Sequence, residues 1–172
     1  MFSNGHGIPE NDAEAFQWYR AAAEQGLAAA QEMLGLMFAH GDGVPKNDTE
    51  AVWWFRAAAE QGLATAQFHL GVSFSNGGGV PENDAEAVWW YRAAAEQGFA
   101  AAQHNLGVSF VRGEGVPEDY VRAYAWFNLA AAQGYDEARR AKGALEPRMT
   151  RSQIARAQEL SFDLLRINDK SR

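Results

Sequence analysis

From Asn47 to Pro81 the chain reads NDTEAVWWFRAAAEQGLATAQFHLGVSFSNGGGVP, and from Asn83 to Pro117 it reads NDAEAVWWYRAAAEQGFAAAQHNLGVSFVRGEGVP. The second stretch restates the first without an insertion, and a fixed period of this size is the mark of one supersecondary unit built several times. The period runs outward in both directions. Pro9, Pro45, Pro81 and Pro117 recur every 36 residues, as do Trp18, Trp54, Trp90 and Trp126, and Gly26, Gly62, Gly98 and Gly134. Gly5, Gly41, Gly77 and Gly113 form another set, and Gly35, Gly71, Gly107 and Gly143 a further one.

Each unit reads as two helices. The first begins at Asn11, Asn47, Asn83 or Asp119, whose side chains suit the free amides of a first helical turn. Glu14, Glu50 and Glu86 stand three residues on and complete a capping-box pattern, from which Arg122 departs. Ala15, Trp18, Tyr19 and Ala22 then recur at spacings of three and four, so one stripe is apolar and faces a neighbour. A glycine such as Gly26 ends this helix. The second helix runs through AAAQEMLGLMFAHG, ATAQFHLGVSFSNG and AAAQHNLGVSFVRG. At helical spacing Ala66, Gln67, Leu70, Gly71 and Phe74 share one side, with Gly71 admitting a closely packed neighbour. Neither helix could keep its stripe in water alone; stacked pairs bury a continuous core.

These residues carry a resemblance. A-x-x-x-L-G, then G-x-G-V-P, an acidic or amide cap, A-x-x-W and A-A-A-E-Q-G, over about residues 1–145, resemble the Sel1-like repeat. The resemblance implies an all-α fold, a right-handed superhelical α-solenoid of antiparallel helix pairs related to tetratricopeptide arrays. It implies a scaffold or adaptor in protein assembly, without a shared active site. Some secreted members pair cysteines across each repeat; this chain has no Cys. The expected organisation is a partial N-terminal repeat over 1–27, repeats at 28–63, 64–99 and 100–135, and C-terminal capping helices with a tail over 136–172.

Composition narrows the function further. With 172 residues, 47% of them hydrophobic and 22% charged, the chain has the make-up of a folded protein. The absence of Cys excludes thiolate nucleophiles, Cys-ligated zinc and disulfides. No apolar run reaches the length of a membrane span, and Met1–Pro9 lacks the basic and apolar regions of a signal peptide; the compartment stays open. Residues 1–134 hold 16 Asp and Glu against 6 Lys and Arg, and the rest hold 6 against 9. An acidic array disfavours nucleic acid and favours basic partner segments.

The ends depart from the pattern. Met1–Ser3 align with the last residues of a second-type helix, so Ala15, Trp18 and Tyr19 are expected to be bare, a patch suited to end-on self-association. At the other end Lys142 takes the place of the framework Leu and Glu146 that of the framework Phe, and Pro147 stops the helix. Thr150 with Gln153 predicts a capping box, and Ile154, Ala157, Leu160, Leu164 and Leu165 predict a closing helix to about Ile167, with Asn168–Arg172 as tail. The run RMTRSQIARAQEL is similar to the closing segment of many bacterial Sel1-like proteins, the one hint of a bacterial origin.

No chemistry emerges from the remaining motifs. GDGVPKN, NGGGVPEN and GEGVPED lack the GK[ST] ending of a phosphate loop and follow no strand. His6, His40, His69 and His104 occupy four different repeat positions, so no metal-ligand spacing recurs. We expect no catalytic, cofactor or metal residues. What varies between repeats lies on the second helix: Glu32, Phe68 and His104 share a position, as do Met33, His69 and Asn105; Ala39, Ser75 and Val111; and His40, Asn76 and Arg112. These are expected to line the concave face and meet a peptide or protein partner, with Phe68 an exposed aromatic anchor. The alternative is solvent-facing drift in a structural spacer. A secondary surface is Trp53 and Trp89, off the apolar stripe, with Arg56 and Arg92 three residues on in reach of cation–π stacking; the pair reads either as a binding platform or as packing against the neighbouring repeat.

Overall fold

The computed structural model describes residues 9–170, with side chains described for 12–166. Among the described residues every regular element is helical: α1 (Pro9–Glu24), α2 (Ala28–His40), α3 (Asp48–Glu60), α4 (Ala64–Asn76), α5 (Asp84–Glu96), α6 (Ala100–Arg112), α7 (Tyr120–Ala132), α8 (Asp136–Leu145) and α9 (Arg151–Lys170), with a 3₁₀ turn at Glu146–Arg148 before α9. The chain divides into two compact units, the first ending at Glu82 and the second beginning at Asn83. Within the first, α1 packs on α2, α2 on α3 and α3 on α4; within the second, α5 packs on α6, α6 on α7, and α7 on both α8 and α9.

The helix ends follow from local chemistry. The Asn47 side chain accepts from the amides of Thr49 and Glu50, that of Asn83 from Glu86, and that of Asp119 from Arg122. The reciprocal half of the capping box is absent at Asn47 and Asp119, because their own amides donate to the carbonyls of Phe38 and Phe110 at the ends of α2 and α6. With that donor engaged by backbone, a returning Glu has nothing to bind, which is why Arg122 is tolerated there. The first helix corrects the sequence reading: α1 begins at Pro9, ahead of Asn11, whose side chain lies outside the described residues, as do Met1–Ser3.

Packing uses both faces of α3 and α7. Ala51, Trp54, Phe55 and Ala58 are buried, and so are Ala123, Trp126, Phe127 and Ala130. The Phe55 ring of α3 sits so close to Gly35 of α2 that a Cβ there would lie 2.6 Å from it, and the Phe127 ring stands in the same relation to Gly107, at 2.5 Å. This close approach is what the helical glycines serve. In α4, Ala66, Gln67, Leu70, Gly71 and Phe74 are all buried, as their spacing predicts. The buried glutamines are satisfied between helices: Gln31 donates to the Ala23 carbonyl and accepts from Gln61, and Gln103 donates to the Ala95 carbonyl and accepts from Gln133.

In α1 the outer stripe is bare. Trp18 is 71% exposed, with Tyr19 and Leu27 exposed beside it, while Phe16 and Ala23, which face α2, are buried. At the far end Thr150 and Gln153 exchange the two capping-box hydrogen bonds. Two details differ from expectation: α9 continues to Lys170, taking in Asn168, and Leu165 is exposed while Ser161 is buried. Asn128 donates to the Ser161 hydroxyl, so this polar residue is held on the buried side of α9, outside the stripe read from the sequence. The displaced framework positions are also polar and paired. Lys142 donates to Asn128, and the Tyr124 hydroxyl donates to Glu146. Burial and that hydrogen bond push the Tyr124 phenol up to about 12.

Candidate protein-binding surface

The variable positions of the second-type helices sit at intermediate or full exposure. In unit 1, Glu32, Phe68 and His69 are half-buried, whereas Met33, His40 and Asn76 are exposed. In unit 2, His104 and Asn105 are half-buried and Arg112 is exposed. Two of these expectations need correcting. Phe68 is half-buried, because its ring packs edge-on to His69 with centroids 5.6 Å apart. His69 is part of the packing too: its ring stacks on Phe55 at 5.0 Å, and its Nε2 lies 3.9 Å from Glu32. The structure thus brings Glu32, Phe68 and His69 together as one small cluster.

His104 is likewise anchored, with its ring 5.6 Å from Phe127 and 5.5 Å from Tyr135 and its Nδ1 3.2 Å from the Asn105 side chain. Tyr135 was overlooked in the sequence. It occupies the repeat position of Leu27, Leu63 and Phe99, and that run of differing apolar residues was the available signal. Arg112 pairs with Glu114 at 3.6 Å and borders a cavity of 240 Å³ with Val108, Val111, Phe127, Ala144 and Arg148. An apolar floor flanked by two guanidiniums can hold an apolar side chain beside a carboxylate.

Burial lowers the His69 pKa below its ordinary 6.5, outweighing the nearby Glu32 carboxylate, and His40 lowers it further. The folded chain therefore takes a proton on this ring less readily than the unfolded chain does. Below pH 6.5 the unfolded state binds more protons, so stability that is present above that value is lost as the pH falls. We expect the wild-type chain to lose urea resistance, relative to His69→Met, as the pH falls through 6.5 and below it. Met stands at the equivalent position one repeat earlier, as Met33. Parallel curves for the two chains would show that His69 does not titrate on unfolding.

The secondary surface is exposed as the stripe implied: Trp53 is 58% and Trp89 59% accessible. Each stands edge-on against its buried neighbour, Trp53 on Trp54 at 4.4 Å and Trp89 on Trp90 at 4.3 Å. The expected stacking with arginine does not form. Arg56 lies instead over the Phe74 ring at 5.6 Å, and no cation–π contact reaches Trp53 or Trp89 among the described residues. Among the described residues no group of three or more His, Asp or Glu side chains could hold a metal ion. Nor is any described helix long and apolar enough to cross a membrane.

The same buried framework recurring on successive helix pairs, with the variable positions half-buried or exposed around it, defines a helical-repeat protein. The chain belongs to the Sel1 repeat family, whose model matches residues 1–27, 28–63, 64–99 and 100–135; members are generally protein–protein interaction modules. It is similar to a Sel1 repeat protein of Oxalobacter formigenes, at 39% identity and a TM-score of 0.73, over 80% of this chain and 55% of that one. It is similar also to a protective antigen of uropathogenic Escherichia coli with an SLR fold, at 32% identity and a TM-score of 0.69, over 89% of this chain and 41% of that one. The chain thus spans about half the length of these relatives. The fold is shared with Helicobacter pylori cysteine rich protein B, at 21% identity and a TM-score of 0.61, over 78% of this chain and 97% of that one. No curated protein matches.

Proposed function

We propose that this chain is a non-catalytic scaffold that binds a peptide or protein partner on the concave face of the array, through the second-type helices. The observation that carries this reading is the division of labour along those helices. Ala66, Leu70 and Phe74 are buried in the repeat frame, while the residues that differ between repeats are exposed, as at Met33, Asn76 and Arg112, or half-buried. A fixed frame with a changeable outer face is how repeat proteins acquire partners without losing the fold. Met33 and Asn76 in unit 1, and Asn105 and Arg112 in unit 2, are the accessible contacts; Glu32, Phe68, His69 and His104 set the shape around them. The net charge of -7 favours a partner with basic segments, and the Arg112 and Arg148 cavity favours a carboxylate locally.

The test is affinity capture from source-cell lysate with the wild-type chain beside Met33→Glu/Arg112→Glu, circular dichroism confirming that both fold. A partner held by the wild type and lost at least about tenfold by the variant is expected, a rim-to-core range for interface substitutions. Equal retention would move binding off this face. A second reading, end-on self-association in a structural spacer, is favoured by the bare Trp18 stripe. Sedimentation velocity of the same samples at rising concentration separates the two, since only self-association shifts with the chain's own concentration.

A further inference from the structure

In unit 2, Arg92 and Glu96 of α5 and Arg122 and Trp126 of α7 bound a groove floored by Phe110. Leu160 and Leu164 of α9 line its other side, leaving 210 Å³ between. Two periods earlier stand Arg20, Glu24, Glu50, Trp54 and Phe38, and these bound a groove of 330 Å³ between α1 and α3 in unit 1. Its lining comes from α1, α2, α3 and the Asn47 cap, with no counterpart of α9 among the described residues.

We infer that the α1/α3 groove is a docking site for an amphipathic helix of a protein partner, one presenting two leucine-like side chains a turn apart with a basic residue beside them. The chain itself shows what this frame accepts, because α9 sets Leu160 and Leu164 against the equivalent repeat positions in unit 2. Apolar anchors at i and i+4 entering a groove between helices is a common mode of helix recognition. The floor is aromatic: Phe16, where unit 2 has Val88, meets Phe38 edge-on at 5.5 Å.

Charge selects the occupant. The unit 2 groove has two guanidiniums, Arg92 and Arg122, against the Glu96 carboxylate, with Arg122 also paired to Asp119 at 3.5 Å. In unit 1, Glu50 replaces Arg122, and Arg20 is held by Glu24 at 2.8 Å, which leaves the Glu50 carboxylate without an ion pair among the described residues. In α9 each groove leucine follows an acidic residue, Glu159 before Leu160 and Asp163 before Leu164. Asp163 pairs with Arg166 inside α9, and acidic residues beside the leucines would be repelled by Glu50, so a second copy's α9 is the wrong occupant and a basic helix the right one.

The experiment uses the full chain and two fluorescently labelled peptides, TRSQIARAQELSFDLLR, which is residues 150–166, and the same peptide carrying Glu159→Lys and Asp163→Lys. Anisotropy titration should show the lysine peptide binding at least about tenfold more tightly than the native one, the scale expected of a reversed charge pair. Glu50→Arg should reverse that order. This variant installs the residue that the chain already carries at 122, on an exposed position whose backbone cap is unchanged, so folding is expected to survive. A lysine peptide further carrying Leu160→Ser and Leu164→Ser should not bind. Three results would overturn the proposal: no binding of the lysine peptide, binding indifferent to Glu50→Arg, or binding that responds to Arg122→Glu instead, which would mean displacement of α9. Met33 and Arg112 lie outside this groove, so this docking and the binding proposed for the second-type helices fail independently.

Discussion

Trp54→Ala and Trp126→Ala are each expected to lower the unfolding free energy by about 3 to 5 kcal/mol, while Trp18→Ala, at the equivalent repeat position, should change it by less than about 0.5 kcal/mol. The three side chains are chemically identical and occupy one register of the repeat; only their surroundings differ. Trp54 is 8% exposed and joins Phe16, Ala23, Leu34 and Met37 in one core cluster, Trp126 is 6% exposed, and Trp18 is 71% exposed. Truncating a buried indole loses its transfer energy and leaves a cavity that helices fixed on several sides cannot close. At Trp18 the indole already stands largely in water, so little burial is lost. Urea unfolding followed by far-ultraviolet circular dichroism reads the difference, with the slope of each transition checked because repeat arrays can unfold in parts. Similar losses at all three positions would show that burial within the chain is not what makes this tryptophan matter.

The contrast marks how far the sequence could be read. A period held by proline, glycine and tryptophan specifies the helix pairs, their caps and their buried stripes, because those depend on residues three, four or 36 positions apart. What escaped depends on which neighbour a side chain finds in space. Arg56 was expected on Trp53 of its own helix and lies over Phe74 of the next one. Phe68 was expected to stand free and packs against His69, which itself stacks on Phe55. Leu165 belongs to the periodic stripe of α9 yet is 46% exposed, since the position facing Asn128 is taken by Ser161. A helical wheel gives the direction of a side chain but not the polarity of the surface it meets, and in the closing segment that surface is polar. For the same reason the groove between α1 and α3 was invisible, because its five defining residues come from three helices and acquire meaning only beside their counterparts under α9.

Gly115→Ala is expected to cost more than about 3 kcal/mol, and Gly134→Ala only about 1 to 2, although both glycines have a left-handed backbone. Gly115 has φ of +69° and Gly134 of +87°, so an L residue is disfavoured at each by a similar amount. The environments differ. Around Gly134 nothing lies within 4 Å of an added Cβ, so the conformational strain is the whole cost. At Gly115 that Cβ would collide with the carbonyl of Asp84 and come within 2.9 Å of the Ala85 nitrogen, both backbone atoms in the first turn of α5. A side chain could rotate away; a helix terminus already fixed by the Asn83 cap cannot. The same turn meets Asp48 backbone at Gly79, so the contact is a repeated element of the frame that seats the end of each second-type helix on the start of its partner. Denaturant titration of the two single variants is the test. A loss at Gly115 no larger than at Gly134 would mean that the turn can move off α5 freely. The packing of α5 against α6, and with it the placement of His104, Asn105 and Arg112, would then owe nothing to that contact.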